Sequence, residues 1–349
     1  MNITKADLAW AVEQEILNER QSQALWDALA NRDQGAPKFD IINLAYYFGA
    51  ILVMLALGWF LTTCWESGGP TGLLGITAAY SVGFLLAARR FWQDEGTKVP
   101  GGLLAAVAVS LIPLMVYSLE KIFGIWPGED PGKYAGFHSY IKGSWVIMEL
   151  ATIFGGLLVM RFIAYPFILA PISVALWYLS MDFTPLVFGR NEFNMHESGY
   201  VSAVFGCLMI GAAYLTDRKT ASSKLDFGYW LYFFGVIEFW GGVIATGSGD
   251  EFGRFCFFVL NLLMMIVSVL LQRKVFVVFG SIGALGYLCH LGYSVFENWL
   301  LFPFVLTGIG LSVIALAVLY QKNRERIESA IKSAIPLGLR PYLPLTREE

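Results

Sequence analysis

Charged residues are scarce in this chain. They fill 15% of its 349 positions, against 56% hydrophobic residues, and the mean hydropathy is +0.59. A soluble globular chain carries about a quarter charged residues, so much of this one sits where charge is not tolerated. Cysteine is also sparse. Cys64, Cys207, Cys256 and Cys289 show no CxxC spacing and no histidine at a metal-binding interval, which points to small apolar side chains in helix packing rather than a metal or redox centre. A Cys64–Cys256 disulfide stays open. The sequence contains no HExxH, P-loop or GxSxG, and no paired acids or Ser/His set of the kind intramembrane proteolysis needs. The net charge of −3 gives no basic surface for nucleic acid. No cofactor and no metal are expected. The first forty residues are polar, so a cleavable signal peptide is not expected either.

What remains is long apolar runs. Stretches near the roughly 20 residues a bilayer requires lie at about 44–63, 70–88, 100–119, 144–162, 164–181, 199–215, 227–247, 254–271, 275–295 and 299–320. Residues 145–183 are almost continuously apolar, interrupted by Glu149, Arg161 and Asp182. As one helix they would reach about 58 Å, far beyond a hydrocarbon core of about 30 Å. The chain must turn back, and Arg161 before Pro166 marks the place. Pro113, Pro166, Pro171 and Pro303 lie inside spans and should kink or break them. Gly206 with Ile210–Gly211, and Gly280 with Ala284, would permit close helix contact.

The basic residues orient this array. With ten spans and an inside N-terminus, only Lys121, Lys133, Lys142, Arg190 and Arg254 of the 24 basic residues face outward. The positive-inside rule favours that asymmetry. The expected fold is therefore an all-α polytopic bundle of about ten transmembrane helices with both termini cytoplasmic. Trp65, Trp92, Trp126, Trp145, Trp230 and Trp299 fall near segment ends, as interfacial aromatics do. Two longer outer loops, 121–143 and 182–198, are rich in Gly, Pro, aromatic or charged residues.

Residues 1–40 read as a separate cytoplasmic helical hairpin. Thr4 with Asp7 resembles one capping box and Asn18 with Gln21 offers a second helix start; Gly35 and Pro37 end the unit. Two short helices cannot bury a core alone, so the hairpin is expected to dock on the membrane domain, on lipid or on a cytoplasmic protein partner. The transmembrane domain then fills 41–320. Residues 321–349 continue as a basic amphipathic extension and a tail alternating Pro336, Pro341 and Pro344 with leucines.

The segment Tyr46–Pro70 reads YYFGAILVMLALGWFLTTCWESGGP. Its Tyr47, Gly49, Ala50, Gly58, Phe60, Trp65 and Gly69–Pro70 resemble the first transmembrane hairpin of a bacterial family of predicted membrane proteins of unknown function. Members of that family place a short helical pair before the first span, and Leu8, Trp10, Ile16, Leu17, Ala24, Leu25 and Leu29 look like that pair. The tail Ile335–Pro344 is similar as well. The resemblance covers about residues 1–90. It implies a bacterial inner-membrane setting and brings no catalytic residue with it.

A few polar residues stand inside the spans. Glu238, in FFGVIEFWGGV, sits at mid-span, where an ionisable group costs about 2.5–3.5 kcal/mol on insertion scales. It should face the bundle interior, either as a coupling or cation-binding carboxylate or as hydrogen-bonding glue between helices. His290, Asn261 and Glu149 could join it in a polar cavity, or each could pair separately. All three histidines, His138, His196 and His290, fall on the outer side, the arrangement an outward pH sensor would need. The adjacent acids Glu129–Asp130 and Asp250–Glu251 read as loop solvation.

Two functional classes follow: a membrane scaffold or sensor acting through its hairpin, and a secondary transporter using Glu238. An enzyme acting on a lipid-linked substrate has less behind it. The topology is directly testable. Reporter domains fused after Arg190 and after Lys219 should report opposite sides of the membrane; both on one side would remove a span between them.

Overall fold

In a computed structural model of the chain, the described residues are 5–32, 41–126, 145–188, 195–221, 223, 225–247, 250–291 and scattered positions between 303 and 322. Expectations for Thr4, Gly35, Pro37, Trp299, the loop from 127 to 143, most of the tenth span and the tail fall outside them. All regular structure among the described residues is helical. That is what lipid demands, because an apolar medium offers no partner to an open backbone N–H or C=O.

Twelve α-helices are described. They are α1 (Lys5–Glu13), α2 (Glu19–Arg32), α3 (Ile41–Ser67), α4 (Gly69–Trp92), α5 (Lys98–Ser110), α6 (Ile112–Ile122), α7 (Val146–Phe162), α8 (Leu169–Phe188), α9 (Met195–Lys219), α10 (Tyr229–Ala245), α11 (Glu251–Leu271) and α12 (Lys274–His290). Among the described residues, five stretches are long and apolar enough to cross a membrane: Gly69–Trp92, Glu95–Ile122, Pro166–Thr184, Met195–Lys219 and Glu251–Leu271. Leu44–Phe60, Tyr229–Ala245 and Lys274–His290 are shorter apolar helices. Many large apolar side chains point outward, with Trp59 82% and Phe154 76% exposed. In water such a surface would aggregate, and in lipid it is solvated.

The prolines act as their covalent geometry dictates. α5 stops at Ser110 and α6 restarts with Pro113 in its first turn. α7 ends at Phe162, Tyr165 is extended, and Pro166–Ile168 forms a 3-10 turn leading into α8. At the α3–α4 turn Gly69 adopts φ +63, where a side chain would be strained, and Pro70 opens the next helix.

The chain divides into two compact units. The first comprises Met1–Trp126, Phe154–Pro171 and Thr220–Phe227. Its hairpin has α1 against α2. The start of α2 is a reciprocal capping box: Asn18 Oδ1 accepts from the Gln21 amide at 2.8 Å, and Gln21 Oε1 from the Asn18 amide at 3.1 Å. The interior of the unit is built on α5, whose Leu103 and Ala105–Val109 are all buried. Gly102 gives that helix a flat spot that the Tyr165 ring fills; a Cβ there would come within 2.1 Å of it. The Tyr165 hydroxyl meets that of Tyr47 at 2.8 Å, and Ser81 donates to the Ala108 carbonyl at 3.1 Å.

The second unit comprises Pro127–Ile153, Ile172–Lys219 and Gly228–Glu349. Its tightest contact runs along a glycine seam between α9 and α10. A Cβ on Gly206 would lie 2.3 Å from the Phe239 backbone nitrogen, and one on Gly242 would lie 2.6 Å from that of Ala203. Gly199 and Gly235 meet the opposite backbone in the same way. Of the small residues singled out above, Gly206 and Gly280 sit in such contacts, whereas Gly211 faces open space. At one end Arg273 grips Asp217 through Nε at 3.1 Å and Nη2 at 2.6 Å. Its guanidinium also lies 5.1 Å from the centre of the Tyr232 ring, a geometry lysine could not reproduce.

The seam yields a contrast. Gly206→Ala should destabilise the protein by about 1–3 kcal/mol through overpacking, and Gly211→Ala should be close to neutral. Thermal unfolding in detergent checks both; equal losses would mean that the seam does not carry the packing.

Candidate functional site

The second unit gathers buried carboxyl groups. Glu238 projects from α10 and is 2% exposed. It lies between Gly235 and Gly242 in helical phase, within about 60° of each at 100° per residue, so the glycine seam that draws α9 close also shuts this side chain in. Asp182 on α8 is fully buried and Glu149 on α7 is nearly so. These two acids lie near enough for their charges to interact. The Trp145 backbone amide approaches Asp182, and the Ser180 hydroxyl approaches Glu238. Neither approach gives a hydrogen bond of proper geometry, and no oxygen of Glu149, Asp182 or Glu238 has a hydrogen-bond partner. Ser180 instead donates to the Trp177 carbonyl at 2.7 Å.

A carboxyl in this condition is costly. Burying a polar group without a partner costs several kcal/mol, and an isolated charge far more. Hydroxyls surround the region without relieving it. Thr152 turns to its own helix at the Met148 carbonyl, Thr184 to the Ser180 carbonyl, and Ser198 to the Thr184 hydroxyl at 3.4 Å. Ser173, wholly buried, has no partner for its hydroxyl.

The four residues singled out from sequence have different neighbours. Asn261 is buried on α11, where its Oδ1 accepts from Trp240 Nε1 at 2.9 Å and its Nδ2 donates to the Phe257 carbonyl at 2.7 Å. Gly283 on α12 makes room for it; a Cβ there would sit 2.1 Å from Oδ1. His290 lies at the far end of α12, with its Nε2 3.0 Å from Arg254 Nη1 and 3.0 Å from Glu251 Oε1. Glu149 has Asp182 beside it, and Glu238 has Ser180.

Two further buried acids carry no sequence signal of a site. Asp182 is a charge inside an apolar run, which marks a break in the run equally well. Glu120, buried in the first unit with both oxygens unpartnered, stands at the end of a span, where an acid looks ordinary. Among the described residues no group of three or more His, Cys, Asp or Glu side chains could hold a metal ion. Cys207, Cys256 and Cys289 are free thiols.

Residues 9–124 match the model of a family described as "Predicted membrane protein (DUF2157)". The match supports a membrane protein family of unknown function and covers the chain from α1 to the loop after α6. The acids of the second unit lie beyond it. No curated protein and no solved structure matches the chain.

The Trp240–Asn261 bond gives a sharp expectation. Asn261→Ala removes the acceptor and should cost about 1–3 kcal/mol, while Trp240→Phe, which removes the donor, should also destabilise. The double variant should lose less than the sum of the two. Strict additivity in thermal unfolding would show that the two side chains are not coupled.

Proposed function

We propose that this integral membrane protein is a carrier or conduit for protons or a small monovalent cation, with Glu238 as its coupling carboxylate and Glu149 and Asp182 as further stations. One observation supports this above the others: three acids within a single unit are buried in apolar helices with every carboxylate oxygen unpartnered. Structural glue would have found hydrogen-bond partners, because that is the only gain available to it. A group that must take up and release a proton or a cation is instead kept short of fixed partners. The proposed frame is ten spans with both termini in the cytoplasm of a bacterial inner membrane. The described apolar helices and the distribution of basic residues support it.

A second reading is favoured by the hairpin. Trp10, Ile16 and Leu25 are 58%, 64% and 39% exposed on two short helices and the turn between them, which suits docking onto lipid, the membrane domain or a cytoplasmic partner. It makes residues 1–40 a scaffold or sensing module, and it is compatible with transport by the rest.

The test is cation flux in proteoliposomes under imposed H+, Na+ or K+ gradients. The wild-type protein should dissipate at least one gradient faster than empty vesicles, and Glu238→Gln should lower that rate at least tenfold while reconstituting normally. No flux with any of the three ions, or equal flux from the variant, would reject the carrier reading and leave the hairpin as the working part.

A further inference from the structure

The carboxyl groups of Glu149 and Asp182 meet where the start of α7 lies against α8. Two contacts fix that place. The Trp145 ring stands 5.8 Å from the Tyr178 ring, and the Trp145 backbone amide approaches Asp182, one turn further along α8. Glu149 lies one turn along α7 from the same tryptophan, with its own amide bonded to the Trp145 carbonyl at 3.0 Å. Asp182 therefore has an amide directed toward it and a second acid near enough for charge to act. Both acids are buried, and no hydrogen bond joins one to the other.

Two like charges side by side in apolar surroundings repel with no water between them, so the pair cannot hold both. Burial alone would leave both acids neutral, but their settings differ. The N–H directed at Asp182 favours a charged carboxylate there. Among the described residues no donor is directed at Glu149, and its titratable neighbour is another acid. The arrangement of lowest energy is a neutral Glu149 beside an ionised Asp182, one proton for two carboxyls. The surroundings also select the ion. A metal cation that leaves water needs several oxygens to replace its shell, and among the described residues no three acids, thiols or imidazoles are grouped to hold one. A proton needs one oxygen to sit on and one acceptor beside it, which is what this pair offers.

We propose that the ion handled by the second unit is the proton, and that Glu149 and Asp182 hold one between them, carried on Glu149 at rest and passed to Asp182 in turnover. The transfer breaks the Glu149 O–H bond, forms one on Asp182 and moves the negative charge to Glu149, with no other reactant. This rests on the carrier reading above and narrows its ion.

The test uses the full chain in lipid nanodiscs at neutral pH, read by infrared difference spectra between the wild type and single variants. Glu149→Gln should remove one carboxylic-acid C=O band and no carboxylate band. Asp182→Asn should remove one carboxylate band and no acid band. Loss of an acid band in both variants, or of a carboxylate band in both, would overturn the proposal. The wild-type chain gives a second measure that needs no variant. A carbodiimide, which attacks protonated carboxyls in apolar surroundings, should modify Glu149 and spare Asp182; modification of Asp182 in its place would also overturn it. Flux then separates this proposal from the reading beneath it. In proteoliposomes with choline as the other cation, the protein should still dissipate a pH gradient, and Glu149→Gln should slow it at least tenfold. Sodium or potassium flux without proton flux overturns the choice of ion and leaves the carrier reading standing. No flux with any ion rejects the carrier reading itself, and the ion assigned here falls with it.

Discussion

The backbones of α9 and α10 approach so closely that no side chain larger than hydrogen fits at Gly199, Gly206 or Gly242 without a shift, and Gly235 is nearly as tight. In lipid this kind of contact replaces the hydrophobic effect, which has little to act on between helices already surrounded by hydrocarbon. The arrangement of the second unit follows from it. Glu238 lies on the glycine face and is enclosed because the neighbouring helix is so near. Without the seam the same residue would have lipid or water beside it, and its carboxylate would be unremarkable. The Asp217–Arg273–Tyr232 clamp holds the same group of helices at one end, where Gly228 leaves room for the Asp217 carboxylate.

Glu149, Asp182 and Glu238 occupy the part of the chain that the family match does not reach. The matched stretch, by contrast, is dominated by packing devices: a buried α5, a glycine that accepts a tyrosine ring, and a serine bonded across to a carbonyl. Both units hold buried acids without hydrogen-bond partners, Glu120 in the first and Glu149, Asp182 and Glu238 in the second. The gathering of three such acids in one unit is the argument for seeking an activity there, whatever ion or solute is involved.

The helical architecture was legible from hydropathy because in a bilayer charge and span length constrain the chain more tightly than propensity does. The break near Arg161 and Pro166 came from length alone, and the start of α2 from the Asn18–Gln21 spacing. Glu238 was legible as a lone acid in mid-span. The partners were not, since hydropathy gives no rotation of one helix about its neighbour. His290 shows what a further step could have found. Gln272 is the midpoint between Arg254 and His290, and also between Asn261 and Gly283. An antiparallel pair closed there brings both couples level, so adjacency in register, rather than a shared polar cavity with Glu238, sets the partners of His290. Asp182 was lost for a different reason: a charge inside a long apolar run marks a turn and a buried site equally well.

The hydroxyl contact between Tyr47 and Tyr165 joins residues 118 positions apart. A growing chain delivers Tyr47 to the membrane long before Tyr165 is made, so the first unit cannot reach its final packing while its own helices α3 to α6 are emerging. The groove beside Gly102 stays unfilled until the 3-10 turn after α7 arrives. The hairpin of α11 and α12 is the opposite case. Its Ser268–Arg273 closure and its Arg254–His290 contact lie within one contiguous stretch, and such local contacts form with little loop entropy to overcome. During biogenesis the later hairpin therefore matures quickly, and the earlier segment remains open to chaperones and to neighbouring lipids until the turn after α7 has been made.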